Sequence, residues 1–151
     1  MKSVIIIYSK TGNTLSVANR LKEKMKSEIL EVKAVSNDPN ETKPKLTQLP
    51  DVTNYSHLVF ASPVHGFSLS KVMETYLKQL PDLSGKTIDL FITHFFPFAW
   101  MGGTRTLKQM KTIIESKNGV VMHMTSVNWK SRKRDLVIEQ MIKAYSDEKT
   151  L

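Results

Sequence analysis

Six consecutive residues near the amino terminus hold the densest chemistry in the chain: Ser9, Lys10, Thr11, Gly12, Asn13 and Thr14. Three hydroxyls and one carboxamide surround a glycine. The apolar run Val4–Tyr8 precedes them, and a stretch of helical period follows. A strand-to-helix turn of this kind presents unpaired N–H groups at a helix N-terminus, which carries about half a positive charge and favours a phosphate. Gly12 lets the main chain approach an anion with no Cβ in the way. Capping a helix needs one such residue, and four polar side chains exceed that need. The spacing excludes a Gly-x-x-x-x-Gly-Lys-Ser/Thr nucleotide loop and a Gly-x-Gly-x-x-Gly dinucleotide loop, because Gly12 is the only glycine in the turn.

Other chemistries are excluded by composition. The chain has no cysteine, so disulfides, thiolate metal centres, iron–sulfur clusters and cysteine nucleophiles are ruled out. Of the four histidines, no pair has the spacing of a zinc site. His57 and His123 fall within strands and read as structural.

The elements that must position the turn follow from periodicity. The 151 residues suit one compact domain, residues 1–151, and 40% hydrophobic with 24% charged residues is globular composition. The longest early apolar run is far short of the roughly 20 residues a membrane span needs. Nor does it resemble a secretory leader, so the expected compartment is the cytoplasm. Ser3–Tyr8, Ile29–Val35, His57–Ser62, Thr87–Thr93 and Val120–Val127 read as five strands, with Pro63 ending the third. Helices are expected from about Thr14, over Leu69–Leu80, from a Thr104 cap to Lys117-Asn118-Gly119, and from about Arg132 to Lys149. Asn37–Thr53, with three prolines, reads as a long loop. Strands alternating with helices predict an α/β doubly wound parallel sheet with helices on both faces.

The turn Ser9–Thr14 resembles the phosphate loop of the flavodoxin family, Ser/Thr-x-Thr-Gly-x-Thr, at every defined position. That resemblance implies a flavodoxin-like five-stranded sheet of order 2-1-3-4-5 and non-covalent FMN at the switch point between strands one and three. It assigns the FMN phosphate to Ser9, Thr11, Gly12, Asn13 and Thr14. The flavin ring then meets two further loops. Ser62, Pro63, Val64, His65 and Gly66 resemble the family's Ser-Pro-x-x-Gly loop, whose glycine peptide lies near flavin N5. The loop from His94 to Thr104 is apolar and aromatic, and leaving it in water would be costly. Phe98 or Trp100 is expected to stack on the ring, with the backbone of Ala99, Met101, Gly102 and Gly103 at its pyrimidine edge. The alternative, that these aromatics fill the core beneath a helix, stays open. His65 and His94 fall near the expected ring.

Charge separates the remaining readings. Twenty-two Lys plus Arg oppose 14 Asp plus Glu, a formal net charge of +8. Many electron-carrying flavodoxins are acidic, so a basic chain should destabilise the anionic reduced flavin less. Lys130, Arg132, Lys133 and Arg134 cluster where the last helix is expected to start, opposing its macrodipole, so an anion is expected there: a pyridine-nucleotide phosphate or an acidic redox partner. A nucleic acid is poorly supported by one short cluster. Three functions fit: an electron carrier for a redox partner protein, a small FMN oxidoreductase using NAD(P)H, a quinone or a similar small-molecule acceptor, and a flavin-free phosphate-binding module.

Overall fold

The computed structural model describes residues 2–10, 12–95 and 102–146. Five parallel strands form its sheet in the order β2-β1-β5-β7-β8. They are β1 (Ser3–Ile7), β2 (Glu28–Glu31), β5 (His57–His65), β7 (Thr87–His94) and β8 (Val120–Asn128). Counting long strands only, this is the predicted order 2-1-3-4-5. Three helices connect strands, α1 (Asn13–Met25), α2 (Lys71–Lys78) and α3 (Gly103–Ser116), and α4 (Arg134–Ser146) follows the last strand.

Central strands of a parallel sheet are covered on both faces, and successive side chains point to opposite ones. Val4, Ile6, Leu58, Phe60, Leu90 and Ile92 pack with Met73 and Leu77 of α2 and Met110 and Ile114 of α3. Ile5, Ile7, Val59, Ala61 and Phe91 pack with Val17 and Leu21 of α1 and Ile138 and Met141 of α4. The Tyr145 hydroxyl donates to the Leu90 carbonyl and contacts Thr125 Oγ1 at 2.8 Å, fixing α4 to the sheet.

Four expectations change in detail. The second strand is shorter than Ile29–Val35: after Glu31 the chain turns aside as β3 (Lys33–Ala34), which pairs with β4 (Leu46–Gln48) inside the expected loop. Pairings of two or three residues leave no readable alternation. Pro63 does not end the third strand. Ala61 turns its carbonyl toward β1, where Tyr8 N–H donates to it. Pro63 faces the same way, beyond the last β1 partner, so the missing N–H costs nothing. The second helix starts at Lys71 because Leu69 pairs with Val64 in a hairpin strand, β6 (Ser68–Leu69), and Ser70 caps the helix, its Oγ accepting from Met73 N–H at 3.2 Å. Gly102 caps α3, and Thr104 lies inside that helix.

An acidic side chain lies within the sheet. Asp89, fully buried, meets His57 Nε2 at 2.7 Å and His123 Nδ1 at 2.9 Å. A register shift in the β7–β8 pairing after Ile88 sets His123 opposite it. Both histidines read as structural are thus partners of one carboxylate. Asp89→Ala leaves a buried imidazole without its acceptor, and is expected to cost about 3 kcal/mol. The urea midpoint should fall at unchanged slope, and a loss below about 0.5 kcal/mol would contradict the assignment.

Candidate functional site at the carboxyl edge of the sheet

From β1 the chain passes to β2 on one side, and the next strand of the sheet, β5, joins on the other. Connections leaving in opposite directions open a crevice above the carboxyl ends of β1 and β5, where ligands of open α/β sheets bind. The turn carrying Ser9, Gly12, Asn13 and Thr14 stands at this point, as does the end of β5.

The turn is built around a left-handed residue. Gly12 has φ 94° and ψ −11°, and a Cβ there would meet nothing within 4 Å. The space is open, and the glycine is required by its backbone conformation. Its N–H donates to Ser9 Oγ at 3.2 Å, and its carbonyl accepts from Ser16 N–H at 2.9 Å. That is the first i→i−4 bond of α1, so the N–H groups of Asn13, Thr14 and Leu15 precede the helical ladder. No side chain among the described residues caps them, and the first turn holds no acidic residue. Hydroxyl and amide donors with no carboxylate among them fit a phosphate ester. Thr14 is buried, its hydroxyl 2.9 Å from that of Thr93, which ties the start of α1 to the end of β7.

The second loop is a hairpin. His65 pairs with Ser68, and the two residues between them, Gly66 at φ 54° and Phe67 at φ 66°, are both left-handed, as a two-residue hairpin turn requires. Ser62 is fully buried, its hydroxyl 3.0 Å from that of Ser70 and donating to the Pro63 carbonyl, so its side chain braces the loop from beneath. Pro63, Val64 and His65 are half-buried, and Gly66 and Phe67 are exposed. The His65 ring meets Tyr8 edge-on, centroids 6.0 Å apart, and the Tyr8 hydroxyl donates to Asn37 Oδ1 at 3.2 Å.

Helix α3 holds this hairpin from the far side. Gln109 Oε1 accepts from Leu69 N–H at 2.9 Å and from the Ser68 hydroxyl at 3.3 Å. Gly102, at φ 126°, lies so close that a Cβ would stand 2.7 Å from Phe67 Cα. Gly103 opens the helix and is buried. His94, expected near a ring, is buried at the end of β7, and its carbonyl accepts from Trp129 N–H at 2.7 Å. Thr11, Phe98, Ala99, Trp100 and Met101, expected at the phosphate and the ring, lie outside the described residues.

Phe67, which closes the expected loop Ser62–Phe67, is the second residue of the hairpin turn. Tyr8, Thr93 and Gln109 carry no such signal in sequence, because their contacts reach residues far along the chain, as Gln109 does to Leu69, 40 residues away.

The basic stretch differs from expectation. Helix α4 begins at Arg134, so Lys130, Arg132 and Lys133 precede it, and Asp135 supplies a negative charge to its first turn. Ser131 Oγ accepts from Lys133 N–H at 3.1 Å, bending the chain before the helix starts. The Arg134 guanidinium lies 4.5 Å over the Trp129 ring and donates to its carbonyl at 2.7 Å.

The Flavodoxin domain family matches residues 4–117. This chain belongs to the flavodoxin family. Among solved structures it is similar to a flavoprotein of Bacteroides uniformis at 17% identity and TM-score 0.70, covering 93% of this chain and 97% of that one. It is also similar to a flavoprotein of Lactobacillus acidophilus in complex with FMN, at 19% identity and TM-score 0.68, covering 92% and 97%. A flavodoxin of Streptococcus pneumoniae matches at 15% identity and TM-score 0.69, covering 98% and 97%. No curated protein matches in sequence. At these identities the likeness is one of fold.

Two outcomes follow from the geometry of this flavodoxin-family chain. Gly102→Ala is expected to displace the Phe67 turn and to cost about 2 kcal/mol, since the added Cβ meets backbone. Shifted amide resonances at Gly66–Leu69 would show it, and an unperturbed spectrum would refute the close approach. Burial, and secondarily the Lys10 ammonium, push the His65 imidazole below its ordinary value of 6.5. The unfolded chain takes up that proton at the higher pH, so stability falls as pH drops through 6.5 and levels off below the folded value. Proton NMR of His65 should give a midpoint below 6.5, and Lys10→Gln should move it part of the way back.

Proposed function

We propose that the chain binds FMN non-covalently and transfers electrons to or from a protein partner. The observation that carries the reading is the open α1 N-terminus, with left-handed Gly12 and no acidic residue in its first turn, at the switch point of a flavodoxin sheet. Family membership and the FMN-bound Lactobacillus acidophilus neighbour support it. Bound FMN supplies one- and two-electron redox chemistry.

The residues divide the work. Ser9, Thr11, Gly12, Asn13 and Thr14 hold the phosphate. Thr14 does so while bonded to Thr93, which keeps the turn in place before the ligand arrives. The loops Ser62–Gly66 and Phe98–Gly103 flank the ring, and the Gly66 peptide faces its reactive edge. Gln109, Gly102 and Ser70 keep the hairpin rigid, limiting reorganisation when charge moves.

No helix among the described residues is long and apolar enough to cross a membrane. We assign the protein to the cytoplasm, on its cysteine-free sequence.

Titration of the purified chain with FMN should quench flavin fluorescence at one equivalent. Ser9→Ala and Gly12→Ala should each weaken binding about tenfold, or 1.4 kcal/mol. Wild-type affinity in both variants would place the phosphate elsewhere. Direct oxidation of NADPH with menadione present would make the protein an oxidoreductase in its own right; the carrier reading predicts none.

A further inference from the structure

The two outer strands of the sheet differ in how their open sides are protected. At one side β2 has four residues, and its first and last are glutamates. The chain then turns aside into β3, and the Gln48 amide donates to the Glu31 carbonyl at 2.7 Å, taking up a main-chain acceptor of that strand. At the other side β8 has nine residues and pairs with β7 alone among the described residues. Open outer strands are normally short, or carry lysine or proline. β8 is long and has neither. Its one ionisable side chain, His123, is held by Asp89. The register shift precedes His123, so residues 123–128 remain a regular strand.

The open side of β8 is also apolar. Val120, Met122 and Met124 are 55%, 40% and 42% exposed, three of the eight large apolar side chains exposed among the described residues. Scattered singly they would need no explanation, but these three share one strand. Beside them a groove of about 440 Å³ runs between β8 and α4, with Val137, Met141 and Ala144 in its wall. None of the chain's 22 Lys and Arg or 14 Asp and Glu lies on the strand or in the groove lining. A partner that binds through charge therefore has nothing to pair with on this face. It matches a strand that is itself apolar and uncharged, and a second copy supplies one of the same length.

We propose that two copies of the chain associate through β8, antiparallel about a twofold axis at the middle of the strand, so that their sheets become continuous. Main-chain hydrogen bonds extend the ladder across the axis. Methionine side chains, which adapt to irregular gaps, fill the partner's groove. A twofold contact uses the same patch on both copies, and the protected side of β2 gives no second site, so assembly closes at the dimer. Each copy carries a net charge of +8, so the pairing holds against mutual repulsion. β7 separates β8 from β5, which leaves the crevice above β1 and β5 open in both copies.

Sedimentation velocity of the full chain, from about 1 to about 200 μM, tests the proposal. The mass should pass from 17.2 kDa to twice that value, with a dissociation constant of about 10 μM. Raising salt from about 20 to about 300 mM should tighten association about threefold by screening the repulsion. Weakening by salt would mean an ion-paired interface and overturn the proposal. Met124→Lys should weaken association at least about tenfold. Leu136→Lys, the same charge at another exposed apolar residue, should weaken it less than about twofold. Equal losses would trace the effect to net charge and overturn the proposal, as would growth beyond the dimer. Hydrogen exchange on the wild-type chain needs no variant: amides of residues 123–128 should slow as concentration rises, and those of β2 should not. Slowing at β2 in place of β8 would overturn the assignment. A chain that stays monomeric at every concentration would also overturn it, and would leave β8 to a strand from another protein.

Discussion

Parallel pairing of β1 with strands on both sides is the constraint on which the rest depends. A parallel neighbour needs a crossover, and the two crossovers flanking β1 leave in opposite senses. The gap between them cannot be closed by backbone, so the sheet is obliged to have a crevice above β1 and β5. The same right-handed crossovers aim the N-terminus of α1 at that crevice. A crevice suited to an anion is thus a consequence of topology, and the turn carrying Ser9, Gly12, Asn13 and Thr14 is the cradle we propose there.

The site is made precise by contacts between elements distant in sequence. Thr14 reaches Thr93, Ser62 reaches Ser70, Gln109 grips the β5–β6 hairpin, and Gly102 admits the Phe67 backbone. Together they tie the phosphate turn, the hairpin and the start of α3 into one unit resting on β1, β5 and β7. Ring-binding loops of a flavin protein need this rigidity, because a ligand that changes charge is served best by surroundings that need not rearrange. On the opposite half of the sheet, Asp89 with His57 and His123 is part of the framework and stands apart from this chemistry.

Much of this was legible in sequence for identifiable reasons. The buried strands are continuous apolar runs, and the helices show period 3.6 with buried Val17, Leu21 and Met25 or Met73, Tyr76 and Leu77. The turn we propose for the phosphate stands out in sequence because Ser9, Gly12 and Thr14 each answer a separate local demand: a hydroxyl, a left-handed backbone, a buried tie. What escaped depends on register or on distance along the chain. Pro63 continues a strand because its N faces a side where β1 has ended, which needs the pairing to be known. Lys130 to Lys133 read as a helix start, although Ser131 places a turn before the helix and Asp135 moderates it. Gln109 carries no signal in sequence, because the hairpin it holds lies 40 residues away along the chain.

The central claim is that the α1 turn recognises a dianionic ester. Parallel calorimetric titrations with FMN and with riboflavin, which share the ring and differ in the phosphate, test it directly. FMN should bind at least about a hundredfold more tightly, a difference of about 2.7 kcal/mol from charge-assisted bonds at the helix end. Equal affinities, or no heat with either, would contradict the account.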